Sequence, residues 1–354
     1  ATLDARNLAL MLEPECAMLA TLQELAPAAR EAVHEGSNVV VVDCGGGTVD
    51  ITSVVVRQVA PLRVEETAAP VGGPWGSTYV DATFIEAMAD IVGADVWAEV
   101  GASVVNDLLE AWVAHKHHVG TGPLAEDTAS LPVGPLLDNL AEVANFTEKQ
   151  FTDGLARHNA ARGYSGATAL SLSARGRRLH IPADTVRSYF SLVVDAIVTR
   201  LHRLLDEDHV PCDFLLVAGG FAESRLLQDA LTAAFSTPTR AVLVPRRPGC
   251  VVNTGAAMFV LQPAVAARIM RFSYAYEISA RYDAVVHDAV HQFTAGGVVY
   301  ARELAAVVQV GQRVEVGSEV DREVFPLCPE DTHARIEFFR TADGIVDPST
   351  HPRA

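Results

Sequence analysis

The chain has 354 residues, 49% apolar and 20% charged, which is long enough to bury a sizeable core and globular in composition. Its 27 basic against 44 acidic residues give a net charge of −17, which argues against nucleic acid or an anionic membrane as the main partner, because both need a basic face. A nucleotide stays open, since local N–H groups and a metal can hold one.

No apolar run approaches the length of a membrane span, and no signal-peptide pattern is present. Cys16, Cys44, Cys212, Cys250 and Cys328 show no CxxC spacing and read as reduced thiols of a cytoplasmic protein. The chain opens on Ala1 without a methionine and is expected to be a fragment.

Leu8, Met11, Leu12, Met18, Leu19, Leu22 and Leu25 recur at helical spacing, with Pro14 expected in a first turn, so Glu13-Pro14-Glu15 marks a helix N-terminus. Residues 38–56 then read strand, tight turn, strand. Valines run into Asp43, Gly45-Gly46-Gly47 follow, and a second β-branched run leaves Asp50, too soon for a crossover helix. Three glycines remove every Cβ, permit left-handed backbone and let several N–H groups point at one spot, which suits a phosphate. Thr48 adds a hydroxyl donor. Asp43 and Asp50 would repel a phosphate unless a hard cation such as Mg²⁺ lies between. The plainer alternative is a glycine hairpin with two turn aspartates.

Leu62–Thr67 alternates like a third strand, residues 71–76 read as a loop, and Thr78 is expected to cap a helix whose apolar face is Val80, Phe84, Ile85, Met88, Ile91 and Val92. Leu108, Leu109, Trp112 and Val113 predict a helix ending near His115-Lys116-His117-His118. Residues 121–139 read as loop. The histidines have no fourth ligand at a recognisable spacing and read as a surface cluster rather than a metal site.

Leu170–Ser173 and Arg177–Ile181 form a short β pair turned at Arg175-Gly176. After Pro182, Asp184 or Thr185 caps a helix with an apolar stripe from Val186 to Leu205. Phe214–Ala218 is a buried strand broken by Gly219-Gly220. Ser224 caps the next helix, and Ala241–Val244 completes a βαβ unit. Gly255–Leu261 is a short helix before Pro263. From about Arg271 the pattern turns to alternation, with a strand at 334–340, and predicts a β-rich module.

Two glycine turns in this order resemble the ATPase domain of the 70-kDa heat-shock chaperone family, of the actin and hexokinase superfamily. Asp43–Asp50 is similar to its second phosphate motif, Glu13–Ala17 to its Glu-Pro helix start, Val217–Phe221 to its adenosine motif and Gly255-Ala256-Ala257 to the small-residue helix that follows. Gly73-Pro74-Trp75-Gly76-Ser77, Gly219–Glu223 and Arg271–Tyr274 resemble the divergent heat-shock-protein-12 type. The likeness is strong over 10–90 and 185–265 and loose elsewhere.

The resemblance implies an α/β, actin-like (ribonuclease H-like) ATPase fold, incomplete at the N-terminus. It implies a partial nucleotide-binding domain over 1–268, divided into a hairpin and helix at 38–92, a smaller inserted subdomain at 95–183 and an adenosine-motif half at 184–268, followed by the β-rich module at 271–354. It implies ATP or ADP with Mg²⁺. Gly45, Gly46, Gly47 and Thr48 would lie at the phosphates and Gly219, Gly220, Phe221 and Ser224 at the adenosine. Asp43 would orient water or hold the metal together with Asp50, directly or through water, and Glu13 would act behind it. Lys116 is a candidate for the adenine-contacting position, against a solvated helix end.

The family's first phosphate hairpin and catalytic lysine have no counterpart upstream of Asp43. Hydrolysis is therefore expected of a complete homologue and in doubt for this chain. The function implied is an ATP-binding, chaperone-like protein of the stress response, with a protein or peptide partner at the C-terminal module. The alternatives are a catalytically inactive nucleotide-sensing scaffold and, less favoured, a small-molecule kinase of the same superfamily.

Overall fold

The structure is a computed structural model that describes residues 11–24, 32–173, 175, 177–261, 265–321, 336–342 and 344. In chain order the elements are α1 (Glu13–Glu24), β1 (Asn38–Cys44), β2 (Val49–Val59), β3 (Leu62–Glu66), β4 (Val71–Gly73), α2 (Thr78–Val92), α3 (Ala94–Trp97), α4 (Ala102–Lys116), β5 (Ala129–Pro132), α5 (Gly134–Ala144), α6 (Glu148–Arg162), β6 (Ser171–Leu172), β7 (Arg178–Ile181), α7 (Ala183–His202), β8 (Phe214–Ala218), α8 (Arg225–Phe235), β9 (Ala241–Leu243), α9 (Val251–Leu261), β10 (Val265–Ile269), β11 (Ser273–Arg281), β12 (Gln292–Ala295), β13 (Val298–Val308), β14 (Arg313–Glu315) and β15 (Phe338–Thr341). No described helix is long and apolar enough to cross a membrane.

The chain divides into two compact units, Ala1–Ile51 with Val71–Pro263 and Thr52–Pro70 with Ala264–Ala354. The sequence reading kept 52–70 with the hairpin. The structure groups it with the C-terminal strands because β3 pairs in parallel with β10, Val64 opposite Val265. A parallel partner so far along the chain leaves no local pattern to read.

In the first unit β1 is the centre of the sheet. Val39–Val42 are buried on both faces, and β8, equally buried, lies parallel to it with Val39 opposite Phe214 and Asp43 opposite Ala218. Such continuous apolar runs are what a strand covered on both sides requires. β9 extends the sheet in parallel, and the start of β2 lies on the other side of β1. Val71–Gly73, expected as loop, is the short strand β4 against Val49–Ile51. Its glycines allow the close pairing, since a Cβ on Gly72 would lie 2.5 Å from the Val49 carbonyl oxygen.

The helix expected over 8–25 is described from Glu13, with Leu8 and Leu25 outside the described residues. It is buried from Pro14 to Leu22 and packs on α9, where Gly255 meets the backbone of Cys16. Helix α9 begins at Val251, four residues before the expected start; Pro263 lies outside the described residues. Helix α7 starts at Ala183 with Pro182 in the capping position, so neither Asp184 nor Thr185 caps it. Residues 121–139, expected as loop, are not all loop. β5 pairs with β7, and α5 begins with Pro135 in its first turn, where its missing N–H costs nothing. Around it Phe84 and Trp112 stack at 4.7 Å with Tyr189 against the indole.

In the second unit the end of β2 pairs antiparallel with β3, Val55 opposite Glu65, and β14 pairs with β10. Arg313 bonds Glu65 at 2.8 Å across these strands. A separate sheet runs β12-β13-β11-β15, with β11 and β13 paired from Tyr274–Val308 to Arg281–Tyr300.

Candidate functional site

Because β1 and β8 are parallel neighbours, their glycine turns leave the same edge of the sheet. This is the carboxyl edge, where open α/β sheets take their ligands. Gly219 has φ 89°, and a Cβ there would lie 2.3 Å from the Cys44 carbonyl oxygen and 2.5 Å from Asp43 Oδ1. Only glycine lets the second turn come this close to Asp43.

The Gly45–Thr48 turn is closed by Gly45 N–H donating to the Thr48 carbonyl at 2.9 Å. The carbonyls of Gly45, Gly46 and Gly47 accept from Ser77, Thr78 and Gly76 N–H at 3.2, 2.9 and 3.3 Å, and Thr78 Oγ1 also donates to Gly46 at 2.8 Å. The start of α2 thus takes the carbonyls. The amides of Gly46, Gly47 and Thr48 make no hydrogen bond among the described residues. None of the three glycines is left-handed, contrary to expectation. Their value is clearance, for a Cβ on Gly47 would meet nothing within 4 Å. Thr78 does not cap α2. It is the helix's first residue, and its hydroxyl serves Gly46. Gly76 is the part the sequence reading passed over as loop. A Cβ there would sit 2.1 Å from the Gly46 carbonyl oxygen, and the recurrence of glycine in 71–76 was the available signal.

Asp43 is 5% exposed, and its Oδ2 has no hydrogen-bond partner among the described residues. Burial above all, then the charges of Glu13 and Asp50, push its pKa up to about 6. The charges of Glu13, the first residue of α1, and of Asp50, which accepts from Thr48 Oγ1 at 3.3 Å, thus both act on Asp43. Such an arrangement gains from a cation. Among the described residues no three His, Cys, Asp or Glu side chains are gathered as a metal site. Asp43 and Asp50 are the carboxylates that could serve Mg²⁺, which usually takes one or two and completes its shell with water and phosphate. Cys44, beneath the turn, is fully buried and its thiol pKa is pushed far up by that burial, so it is a packing residue.

The Gly220–Ser224 turn forms one wall of a cavity of about 60 Å³, faced by Lys116, Ser77 and Phe190. Lys116 is therefore in the site, but its ammonium is buried and engaged, 2.7 Å from the Asp81 carboxylate and 3.3 Å from the Ser77 carbonyl. Phe221 is buried against the core. Ser224 does not cap α8 with its side chain, and its Oγ is buried without a partner among the described residues. His115 Nε2 bonds the Asp127 carbonyl at 2.9 Å and His118 Nδ1 the Ala114 carbonyl at 2.8 Å, so both rings have backbone partners.

No family model matches the chain. It is 28% identical over 331 residues to heat shock 70 kDa protein 12A of Homo sapiens, covering 90% of this chain and 46% of that protein. The identity is 27% to the 12A protein of Mus musculus, with the same coverage, and 28% over 336 residues to heat shock 70 kDa protein 12B of Homo sapiens, covering 89% of this chain and 46% of that protein. The chain is a homologue of the heat shock 70 kDa protein 12 proteins. The resemblance drawn from its motifs is borne out, and the chain spans about half the length of these relatives.

The structure gathers the residues singled out from the sequence into two groups on the first unit. Asp43 and Asp50 bracket the first turn, and the Glu13 charge acts on Asp43. Gly220, Phe221, Ser224 and Lys116 line the cavity. Ser77 joins them, donating to Gly45 and facing the same cavity as Lys116.

Proposed function

We infer that the first unit binds an adenine nucleotide with Mg²⁺, in the manner of an actin-like ATPase domain. The observation that carries this reading is the set of free amides on Gly46, Gly47 and Thr48 beside the unpartnered Oδ2 of Asp43. Successive amides without acceptors suit phosphate oxygens, and the adjoining carboxylates then require a cation between. Asp43 and Asp50 would hold Mg²⁺, in part through water, with Glu13 adding to the same field. The ion would supply charge neutralisation at the phosphates. The Gly219–Ser224 turn would receive the adenosine end. The β2-β1-β8-β9 order, with parallel β1 and β8, supports the actin-like reading, as do the heat-shock 70 names of the relatives. In the second unit, Phe338 stands 70% exposed on β15 and supports a protein or peptide partner there.

Calorimetric titration of ADP and ATP with and without Mg²⁺ tests the reading. The expected result is binding that weakens about 10-fold or more when the metal is removed, the loss of one charge-assisted contact. No binding at about 1 mM nucleotide, the top of the usual substrate range, would end it. Hydrolysis measured in the same samples separates an ATPase from a module that only senses nucleotide.

A further inference from the structure

We propose that the Lys116–Asp81 ion pair couples the two halves of this site, so that filling the adenosine side tightens the phosphate side; the proposal rests on the nucleotide reading above. Lys116 ends α4 in the inserted segment and faces the cavity opposite the Gly220–Ser224 turn. Asp81 lies in the first turn of α2. The pair is 2.7 Å apart with side chains only 7% and 14% exposed, and Trp112 Nε1 donates to the same carboxylate at 2.9 Å. A pair so placed is expensive to break, because either partner alone would be a buried uncompensated charge.

The same ammonium also donates to the Ser77 carbonyl. Ser77 and Thr78 in turn donate from their backbone N–H groups to Gly45 and Gly46, and Thr78 Oγ1 makes a second bond to Gly46. A run of hydrogen bonds and backbone therefore leads from the cavity wall to the carbonyls of the glycine turn whose amides have no partner among the described residues. Where those carbonyls are held decides where the amides point. A ligand that draws Lys116 toward the cavity pulls on Asp81 and Ser77, and through them on the turn. Lys116 is thus a positioning residue, committed to Asp81 before any ligand arrives.

The test divides the nucleotide into two probes, adenosine and magnesium tripolyphosphate. In the wild type, saturating adenosine is expected to raise tripolyphosphate affinity about fivefold or more, the low end of measured couplings, and tripolyphosphate to raise adenosine affinity by the same factor. In Asp81→Asn each probe alone should bind within about threefold of the wild type while the mutual enhancement falls to near one. A residue needed only for folding would weaken both probes singly and leave their ratio intact. Should Asp81→Asn fail to fold, Thr78→Val, at the exposed far end of the run, is expected to leave adenosine binding alone within about threefold of the wild type and to bring the mutual enhancement near one, whatever it does to tripolyphosphate binding alone. Enhancement persisting in the folded variant, or absent in a wild type that binds both probes, overturns the coupling. A wild type that binds neither probe overturns the nucleotide reading itself.

Discussion

Asp43→Asn is expected to gain stability on the wild type as pH rises toward neutral and to cost the protein most of its Mg²⁺-dependent nucleotide affinity. Burial, then Glu13 and Asp50, raise the Asp43 pKa from the ordinary 3.8 to about 6. The folded state therefore holds this proton more tightly than the unfolded chain does. The stabilisation that results is complete below about pH 4 and is lost as pH rises to about 6, where the folded protein must accept a buried charge. At about 1.4 kcal/mol for each tenfold in acidity, the loss is about 3 kcal/mol.

Asparagine has the same shape and no proton to lose. Its amide would lack a partner where Oδ2 lacks one now, at a cost of about 1–3 kcal/mol that does not vary with pH. The decisive readout is therefore the change with pH. Urea unfolding of both proteins should show Asn gaining about 3 kcal/mol on Asp between pH 3 and 7. Parallel curves would show that Asp43 is not held at a cost. The same variant should lose about 10-fold or more in nucleotide affinity in the presence of Mg²⁺ and little in its absence. A carboxylate held at such a cost and neutralised only by a cation would be stability given up for binding.

The second large effect separates two kinds of glycine. Gly255→Ala places a methyl group 1.8 Å from the Cys16 carbonyl oxygen and 2.4 Å from its carbon. These are backbone atoms, so no rotamer change relieves the overlap, and α1 must move off α9. Overpacking costs about 1–3 kcal/mol where side chains can adjust, and here about 3 kcal/mol or more is expected from denaturant unfolding. Gly47→Ala meets nothing within 4 Å and needs no left-handed backbone, so its stability should stay within about 0.5 kcal/mol of the wild type. Its methyl group stands where a phosphate would approach the amides, and nucleotide affinity should fall about 10-fold or more. A Gly255→Ala protein as stable as the wild type would remove the close α1–α9 contact. A Gly47→Ala protein that binds normally would move the phosphate site elsewhere.

Local chemistry alone determined much of this protein. The valine run into Asp43, the glycine turn, the return along β2, the buried β8 and its glycine pair, and the stripe of α7 are all contiguous patterns of apolar period or punctuation. A strand buried on both faces, or a helix with one apolar face, declares itself within a few residues. The motif resemblance to the heat-shock-protein-12 type was legible for the same reason.

Tertiary structure decided what depends on residues far apart in the chain. Val64 meets Val265 across parallel strands, which takes 52–70 out of the first unit. Gly76 and Thr78 serve the carbonyls of Gly46 and Gly47, which holds the turn without any left-handed glycine. Lys116 finds Asp81 and Ser77 across a helix–helix contact. The charges of Glu13 and Asp50 reach Asp43 only because the start of α1 and the two ends of the turn converge on it. Periodicity records which face of an element is buried, but the partner that buries it, and the field it brings, exist only once the chain has closed on itself.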